Sequence, residues 1–163
     1  MKKIYVFTLL FVLSLFVASG YTYSQTSNDV SKTSDPAQTS NVIGKIFTKT
    51  KADSLYGPVL KAETIKTEAL SGLAKKTPES MMFNFIEGKA TVLNSSRIVI
   101  SGPAQTIKPE QEFRVFSTSK VLELIKLGGS DITTIETRAN NVITITNGTT
   151  VLEEAGTCPP FCH

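Results

Sequence analysis

The sequence predicts an α+β fold in which antiparallel sheet meanders are covered by two short helices. Short runs of alternating or β-branched residues are separated by Asn, Gly and Ser residues, which is typical of strands joined by tight turns. Two further segments have apolar residues at helical spacing, and each follows an extended run. The order of strand, helix and three strands occurs twice, which we interpret as a tandem β-α-β-β-β duplication. Chance similarity within an α+β protein is the alternative interpretation.

The chain begins with the three parts of a secretory signal peptide. A pair of lysines precedes an uncharged apolar run, Ile4–Val17, and small residues follow it. The apolar run is shorter than the roughly 20 residues that cross a bilayer as a helix, so we expect cleavage rather than a retained anchor. Cleavage after Ser24, or alternatively after Gly20, fits the small-residue rule. We therefore predict a signal peptide over residues 1–24, export to the periplasm or the extracellular space, and no transmembrane segment in the mature chain.

A polar linker is expected between the cleavage site and the folded body. Residues 25–41 contain Val30 as their sole sizeable aliphatic side chain, and this apolar surface is too small to offset the entropy of the chain. We therefore predict a disordered linker over residues 25–41. A single α+β domain is predicted over residues 42–157, because the mature chain has the length of one compact domain.

The first element of the predicted domain is a short amphipathic helix. Its apolar residues, which recur at the spacing of one helical face, are Val42, Ile43, Ile46 and Phe47. Gly57 and Pro58 then interrupt the pattern and mark the start of the next element.

The first copy of the repeat begins with an extended run, Val59–Ile65. A helix follows, for which Thr67 is the candidate N-cap and Leu70 and Leu73 belong to the apolar face. Three predicted strands come next along the chain, at Met82–Ile86, Ala90–Leu93 and Arg97–Ser101.

The second copy repeats this order, since residues 67–102 align by residue class with residues 119–154 without a gap. Phe113–Phe116 is the extended run, Ser119 precedes the helix, and Gly128-Gly129 provides its C-cap. The three strands of this copy are predicted at Ile132–Thr137, Val142–Thr146 and Thr149–Glu153. The two meanders could form one continuous antiparallel sheet or two facing sheets, with the helices covering an apolar side.

Two turns in this pattern also match the N-glycosylation sequon, Asn94-Ser95-Ser96 and Asn147-Gly148-Thr149. Asparagine before Ser or Gly is common in turns because its side chain bonds to the nearby backbone. We favour the turn interpretation for both.

Composition and motifs argue against several functions. The formal charge is +3, of which the signal peptide carries most, and the basic residues are interleaved with acids, so we do not expect nucleic-acid binding. His163 is the chain's one histidine, which leaves no Ser-His-Asp triad or H-E-x-x-H helix. Distant paired carboxylates stay open in principle. Enzymatic activity is therefore uncertain, and we expect an exported non-enzymatic protein that binds an envelope component or another protein, or has a structural role.

Both cysteines of the chain lie in the C-terminal run over residues 158–163, Cys158-Pro159-Pro160-Phe161-Cys162-His163. An exported protein meets an oxidising compartment, and the two prolines bend the segment between the thiols. We therefore predict a tail that a Cys158–Cys162 disulfide closes. A bridge across so short a loop would order the tail more than it would stabilise the domain.

A copper or zinc site formed by Cys158, Cys162 and His163 is the alternative interpretation of the tail. Two thiolates and an imidazole are suitable ligands for Cu(I) or Zn(II). The tail also resembles the C-x-x-C-H haem-attachment motif of c-type cytochromes, but it has one additional residue between the cysteines. A second axial ligand could not be histidine, which leaves Met81 or Met82. These departures argue against haem, so we expect no resident cofactor apart from the copper or zinc alternative.

Overall fold

The part of the chain that the structure describes, residues 42–159 of this computed structural model, folds into two five-stranded antiparallel sheets and three α-helices. The α+β class is therefore confirmed. The helices are α1 (Lys49–Tyr56), α2 (Thr67–Lys75) and α3 (Thr118–Gly128). The predicted signal peptide and linker lie outside the described residues.

The first sheet has the strand order β1-β9-β8-β7-β2. Its strands are β1 (Lys45–Thr48), β2 (Val59–Lys66), β7 (Ile132–Arg138), β8 (Ile143–Asn147) and β9 (Thr150–Glu153). The second sheet has the order β10-β6-β3-β4-β5. Its strands are β3 (Ser80–Ile86), β4 (Lys89–Asn94), β5 (Val99–Ser101), β6 (Phe113–Ser117) and β10 (Gly156–Cys158). The eight strands predicted for the two copies are all present.

The predicted helix over Val42–Phe47 is wrong, because residues 45–48 form the edge strand β1. Ile46 and Phe47 pair with Leu152 and Val151 of β9, so their side chains point to opposite faces of the sheet. Ile46 packs against the core between the sheets. Phe47 lies edge-on to Tyr56, with ring centroids 5.9 Å apart. The apolar residues of so short a run fit the period of a helix or that of a strand, and pairing with β9 makes this run a strand.

The helix boundaries follow local capping chemistry, with two differences from prediction. Thr48 caps α1 through its Oγ1, which accepts the backbone N–H of Lys51 at 3.4 Å. Gly129 ends α3 in the left-handed conformation at φ 65°, as predicted. Thr67 is not the N-cap of α2 but its first residue, because Lys66 holds the cap position; the Oγ1 of Thr67 donates to the carbonyl oxygen of Ser130 at 2.7 Å. Ser119 does not precede α3 but is its second residue, because α3 begins at Thr118.

The main core lies between the two sheets, which face each other. Met81 and Phe83 of β3 and Ile135 of β7 are buried there, together with Leu70 of α2 and Leu124 of α3. Helices α2 and α3 therefore bury their apolar faces in the same core as both sheets. Burial of such side chains stabilises the fold by roughly 1.5–3 kcal/mol each.

The two predicted copies exchange their first strands. β2 pairs with β7, which belongs to the meander of the second copy, and β6 pairs with β3 of the first meander. Each sheet thus contains strands from both halves of the chain, and neither half has a complete sheet of its own.

The outer face of the second sheet carries a second apolar cluster. Met82, Leu93, Phe113 and Val115 are buried there with Cys158. Cys158 is the last residue of β10, a strand absent from the prediction, so the segment assigned to the tail begins inside the sheet. Within residues 42–159, each helix is too short and too polar to span a membrane.

Candidate functional site

Cys158 is the one predicted site residue that the structure places, because Cys162 and His163 lie outside the described residues. Cys158 ends β10 opposite Phe113 of β6, and its side chain is fully buried. Its Sγ accepts an N–H from Nη1 of Arg97 at 3.0 Å. The cysteine therefore has a fixed place on the outer face of the second sheet.

Arg97 links Cys158 to two other segments of the chain. Its Nη2 donates to the carbonyl oxygens of Lys108, at 3.0 Å, and Gln111, at 2.9 Å, in the loop before β6. The guanidinium also lies over the ring of Phe113, 5.6 Å from the centroid. Arg97 thus joins the β4–β5 turn, this loop and β10.

The sequence did not predict that Arg97 links these three segments. Its residue type and spacing suggested only a position at the start of a strand, whereas its backbone has the left-handed φ of 60° that follows a tight turn. Asn94 shapes that turn, since its Oδ1 accepts the backbone N–H groups of Ser96 at 3.1 Å and Ile98 at 2.9 Å. The Asn-Ser-Ser signal located the turn but not the partners of the arginine.

The surroundings of Cys158 favour a structural sulfur over a metal ligand. The guanidinium of Arg97 places a positive charge 3.0 Å from Sγ, which opposes the approach of a second cation. Among the described residues, no group of three His, Cys, Asp or Glu side chains is placed to hold a metal ion. Cys162 and His163 lie outside those residues, so this finding concerns sites other than the one predicted in the tail. Burial of Cys158 also separates its sulfur from solvent reagents.

A second polar cluster lies on the outer face of the first sheet, where Arg138 is fully buried. Its Nη1 donates to Asp53 Oδ1 and to the carbonyl oxygen of Gly57, both at 2.7 Å. Its Nη2 donates to Glu136 Oε2 at 3.0 Å, and its Nε donates to Thr144 Oγ1 at 3.1 Å. These bonds satisfy the guanidinium and tie the end of α1 to β7 and β8.

The pKa values of two groups on α1, Asp53 and Tyr56, do not suit acid–base catalysis near neutral pH. The hydrogen bond from Arg138, followed by that from Lys49, holds the pKa of Asp53 below its usual value of 3.8. Burial, with the nearby carboxylate of Glu153, raises the pKa of Tyr56 to about 12. Asp53 is therefore ionised and Tyr56 is neutral across the physiological range, and neither is poised to exchange a proton near pH 7.

Asn147, in the second of the two sequons, is a buried structural residue. Its Nδ2 faces Thr67 Oγ1 and Thr133 Oγ1, each at 2.9 Å, and the carbonyl oxygens of Ser130 and Ile132. Its Oδ1 accepts the backbone N–H of Ser130 at 2.9 Å. The carboxamide is fully buried, so it is inaccessible to glycan transfer in the folded protein.

Comparison of the chain with models of protein families, with curated proteins and with solved structures finds no match. We therefore infer function from the geometry of the chain alone.

Proposed function

We propose that this is an exported, non-enzymatic binding or structural protein whose C-terminal tail is tied to its body by a Cys158–Cys162 disulfide. The observation that carries the proposal is the position of Cys158, which is buried at the end of β10 and contacts Arg97. A bridge to a residue that β-pairing holds in place would keep the following tail close to the same side of the second sheet. The signal-like pattern of residues 1–24 supports the oxidising compartment that this bridge needs.

The expected effect of the bridge is local. A disulfide stabilises mainly by restricting the unfolded chain, and the effect grows with the length of the loop that it closes. A Cys158–Cys162 bridge would close a very short loop, so its loss should loosen the end of β10 much more than it lowers the free energy of unfolding of the whole domain. A large local effect on β10 with a small effect on global stability would fit a structural role for the tail.

Thiol counting tests the proposal directly. The mature protein, isolated without reductant, is unfolded and treated with an alkylating reagent before and after reduction, and mass spectrometry measures the addition. We expect no alkylation before reduction and alkylation of both cysteines after it. The Cys162→Ser variant is the control, because its remaining thiol should react without reduction. Alkylation of both cysteines in unreduced wild-type protein would exclude the bridge.

Copper or zinc handling through Cys158, Cys162 and His163 is the alternative proposal. The charge of Arg97 beside Sγ counts against it, whereas the soft donor set of the tail counts for it. Titration of the reduced protein with Zn(II) or Cu(I), compared with a double Cys158→Ser, Cys162→Ser variant, separates the two proposals. Stoichiometric binding that the double variant loses would favour the metal site.

We also propose that the body arose by tandem duplication with exchange of the first strands. The order β2-α2-β3-β4-β5 matches the order β6-α3-β7-β8-β9, and the pairing of β2 with β7 mirrors the pairing of β6 with β3. In a crystal structure, residues 59–102 should superpose on residues 113–154 with every element in the same direction. A helix or strand that runs in the opposite direction in one half would contradict the duplication.

A further inference from the structure

A cavity of about 330 Å³ lies between the two sheets. Lys61 lies near the start of β2, which leads into α2, and Arg114 lies near the start of β6, which leads into α3. Both residues line the cavity, so it occupies the end of the intersheet space away from α2 and α3. Its volume is within the range of roughly 300–1,000 Å³ that is typical of small-molecule sites.

Strand register explains why these side chains converge. Lys61, Thr137 and Ile143 are neighbours across β2, β7 and β8, and they share the inner face of the first sheet. Arg114 pairs with Phe83, whose ring is in the core, so Arg114 is on the inner face of the second sheet. The pairing of β2 with β7 shifts register between Val59 and Lys61, at this rim of the sheet.

Two cations face this space without a close ion-pair partner in the described part of the chain, although the Glu63 carboxylate attracts Lys61 at longer range. Lys61 Nζ lies 4.9 Å from the centroid of the Phe85 ring and forms no ion pair within residues 42–159. Arg114 donates from Nη1 to Thr157 Oγ1 at 2.6 Å and likewise forms no ion pair in this part of the chain. Glu112 is exposed and contributes a negative charge to the lining, which leaves the lining with a net positive charge.

Phe85 and Ile143 give the cavity apolar walls, and Asn84, Thr137 and Asn141 add polar groups to its lining. The Phe85 ring is half-buried, and Ile143 is buried with 4% of its surface exposed. Like charges that share a partly desolvated space repel each other, and an anion between them would relieve this repulsion. An apolar group on that anion would gain from covering the phenyl ring and the isoleucine.

We propose that this cavity binds a small organic anion that carries an apolar group, with Lys61 and Arg114 as its charge partners and with Phe85 and Ile143 as its apolar contacts. The inference rests on the binding role proposed above and gives that role a ligand class. It is independent of the state of the tail.

Octanoate is the probe, because it combines a carboxylate with a flexible apolar chain. Titration of the mature protein, followed by amide chemical shifts, should show saturable binding with the largest shifts around Phe85, Arg114 and Ile143. Octanol, which lacks the charge, and inorganic phosphate, which lacks the apolar chain, should each bind at least about tenfold more weakly, as expected when about 1.4 kcal/mol is lost. Octanol binding as tight as that of octanoate, or shifts confined to another surface, would overturn the inference.

Variants test the roles of the two cations. Lys61→Gln and Arg114→Gln should each weaken octanoate binding about tenfold, whereas Lys76→Gln, on an exposed lysine at the end of α2, should leave it unchanged. Unchanged affinity in both cavity variants would refute the proposal. Wild-type affinity should also fall as salt rises, a measurement that needs no variant. Absence of octanoate binding in a protein with an intact disulfide would remove this inference and leave the tail proposal standing.

Discussion

Replacement of Asn147 by Ala should cost about 3 kcal/mol of unfolding free energy. The carboxamide is fully buried, and its two N–H groups and its oxygen can form at least three hydrogen bonds at once with the partners around them. Each bond contributes roughly 0.5–1.5 kcal/mol net, and removal of the side chain also leaves buried groups such as the Ser130 N–H without their partner. The partners lie on α2, β7 and the α3–β7 loop, so the loss affects the junction of both halves.

Urea unfolding followed by circular dichroism measures this effect. For a slope of roughly 1–3 kcal/mol per molar urea, the midpoint should fall by about 1–3 M. Asn94→Ala is the matched control, because Asn94 also accepts two backbone N–H groups but lies in a partly exposed turn, where water can replace them. It should cost about 1 kcal/mol or less. Equal losses of unfolding free energy in the two variants would refute the conclusion that the buried hydrogen bonds of Asn147 stabilise the fold.

The Asn147→Asp variant provides a pH signature that packing alone would not produce. A carboxylate at this position keeps the acceptor for Ser130 N–H but faces the carbonyl oxygens of Ser130 and Ile132 without a donor. Burial and these oxygens should raise the pKa of the introduced carboxyl. A raised folded-state pKa favours the folded state at low pH, so Asn147→Asp should gain stability relative to Asn147→Ala as the pH falls towards about 4. A pH-independent difference between the variants would contradict this reasoning.

Three further predictions concern single side chains. Gly128→Ala should destabilise the fold by roughly 1–3 kcal/mol in urea unfolding, because the added Cβ would overlap the side-chain and backbone oxygens of Asn147. Gly72 lies on α2 in open space, so Gly72→Ala should stabilise the fold by roughly 0.5–1 kcal/mol. Equal effects of the two substitutions would contradict the close packing of Gly128 against Asn147. Asp53→Asn should lower the urea midpoint at pH 7, because it removes the carboxylate that pairs with Arg138. The difference in midpoint between variant and wild type should vanish as the pH falls below 3.8 through the lowered pKa of the wild-type carboxyl, since only the ionised form stabilises the fold. A difference in midpoint that persists in acid would exclude the charge effect. Tyr56→Phe should remove the loss of stability that the wild-type protein shows between pH 10 and about 12, because the raised pKa favours the folded state only while the phenol is protonated. An absorbance titration of the wild-type phenol should place its pKa near 12.

At the candidate sites, the contacts between residues far apart in the chain could not be predicted from the sequence. Clustering of the cysteines directed attention to Cys158, but burial on β10 and contact with Arg97 depend on strands and loops that are distant along the chain. The Arg138 cluster and the cation pair of the intersheet cavity were also missed, because each joins side chains from separate elements. Cys162 and His163 lie outside the described residues, so the disulfide and the metal site stay predictions.

The sequence by itself determined the α+β class, the strands of the two meanders and the helices α2 and α3. Side-chain alternation, turn residues and caps are local properties, and they act within a few residues of the chain. Only the tertiary structure decided that residues 45–48 are a strand, that residues 156–158 join the second sheet, and that β2 pairs with β7 and β6 with β3. Strand pairing satisfies backbone hydrogen bonds between segments far apart in sequence, and its register depends on the packing of the whole core rather than on neighbouring residues.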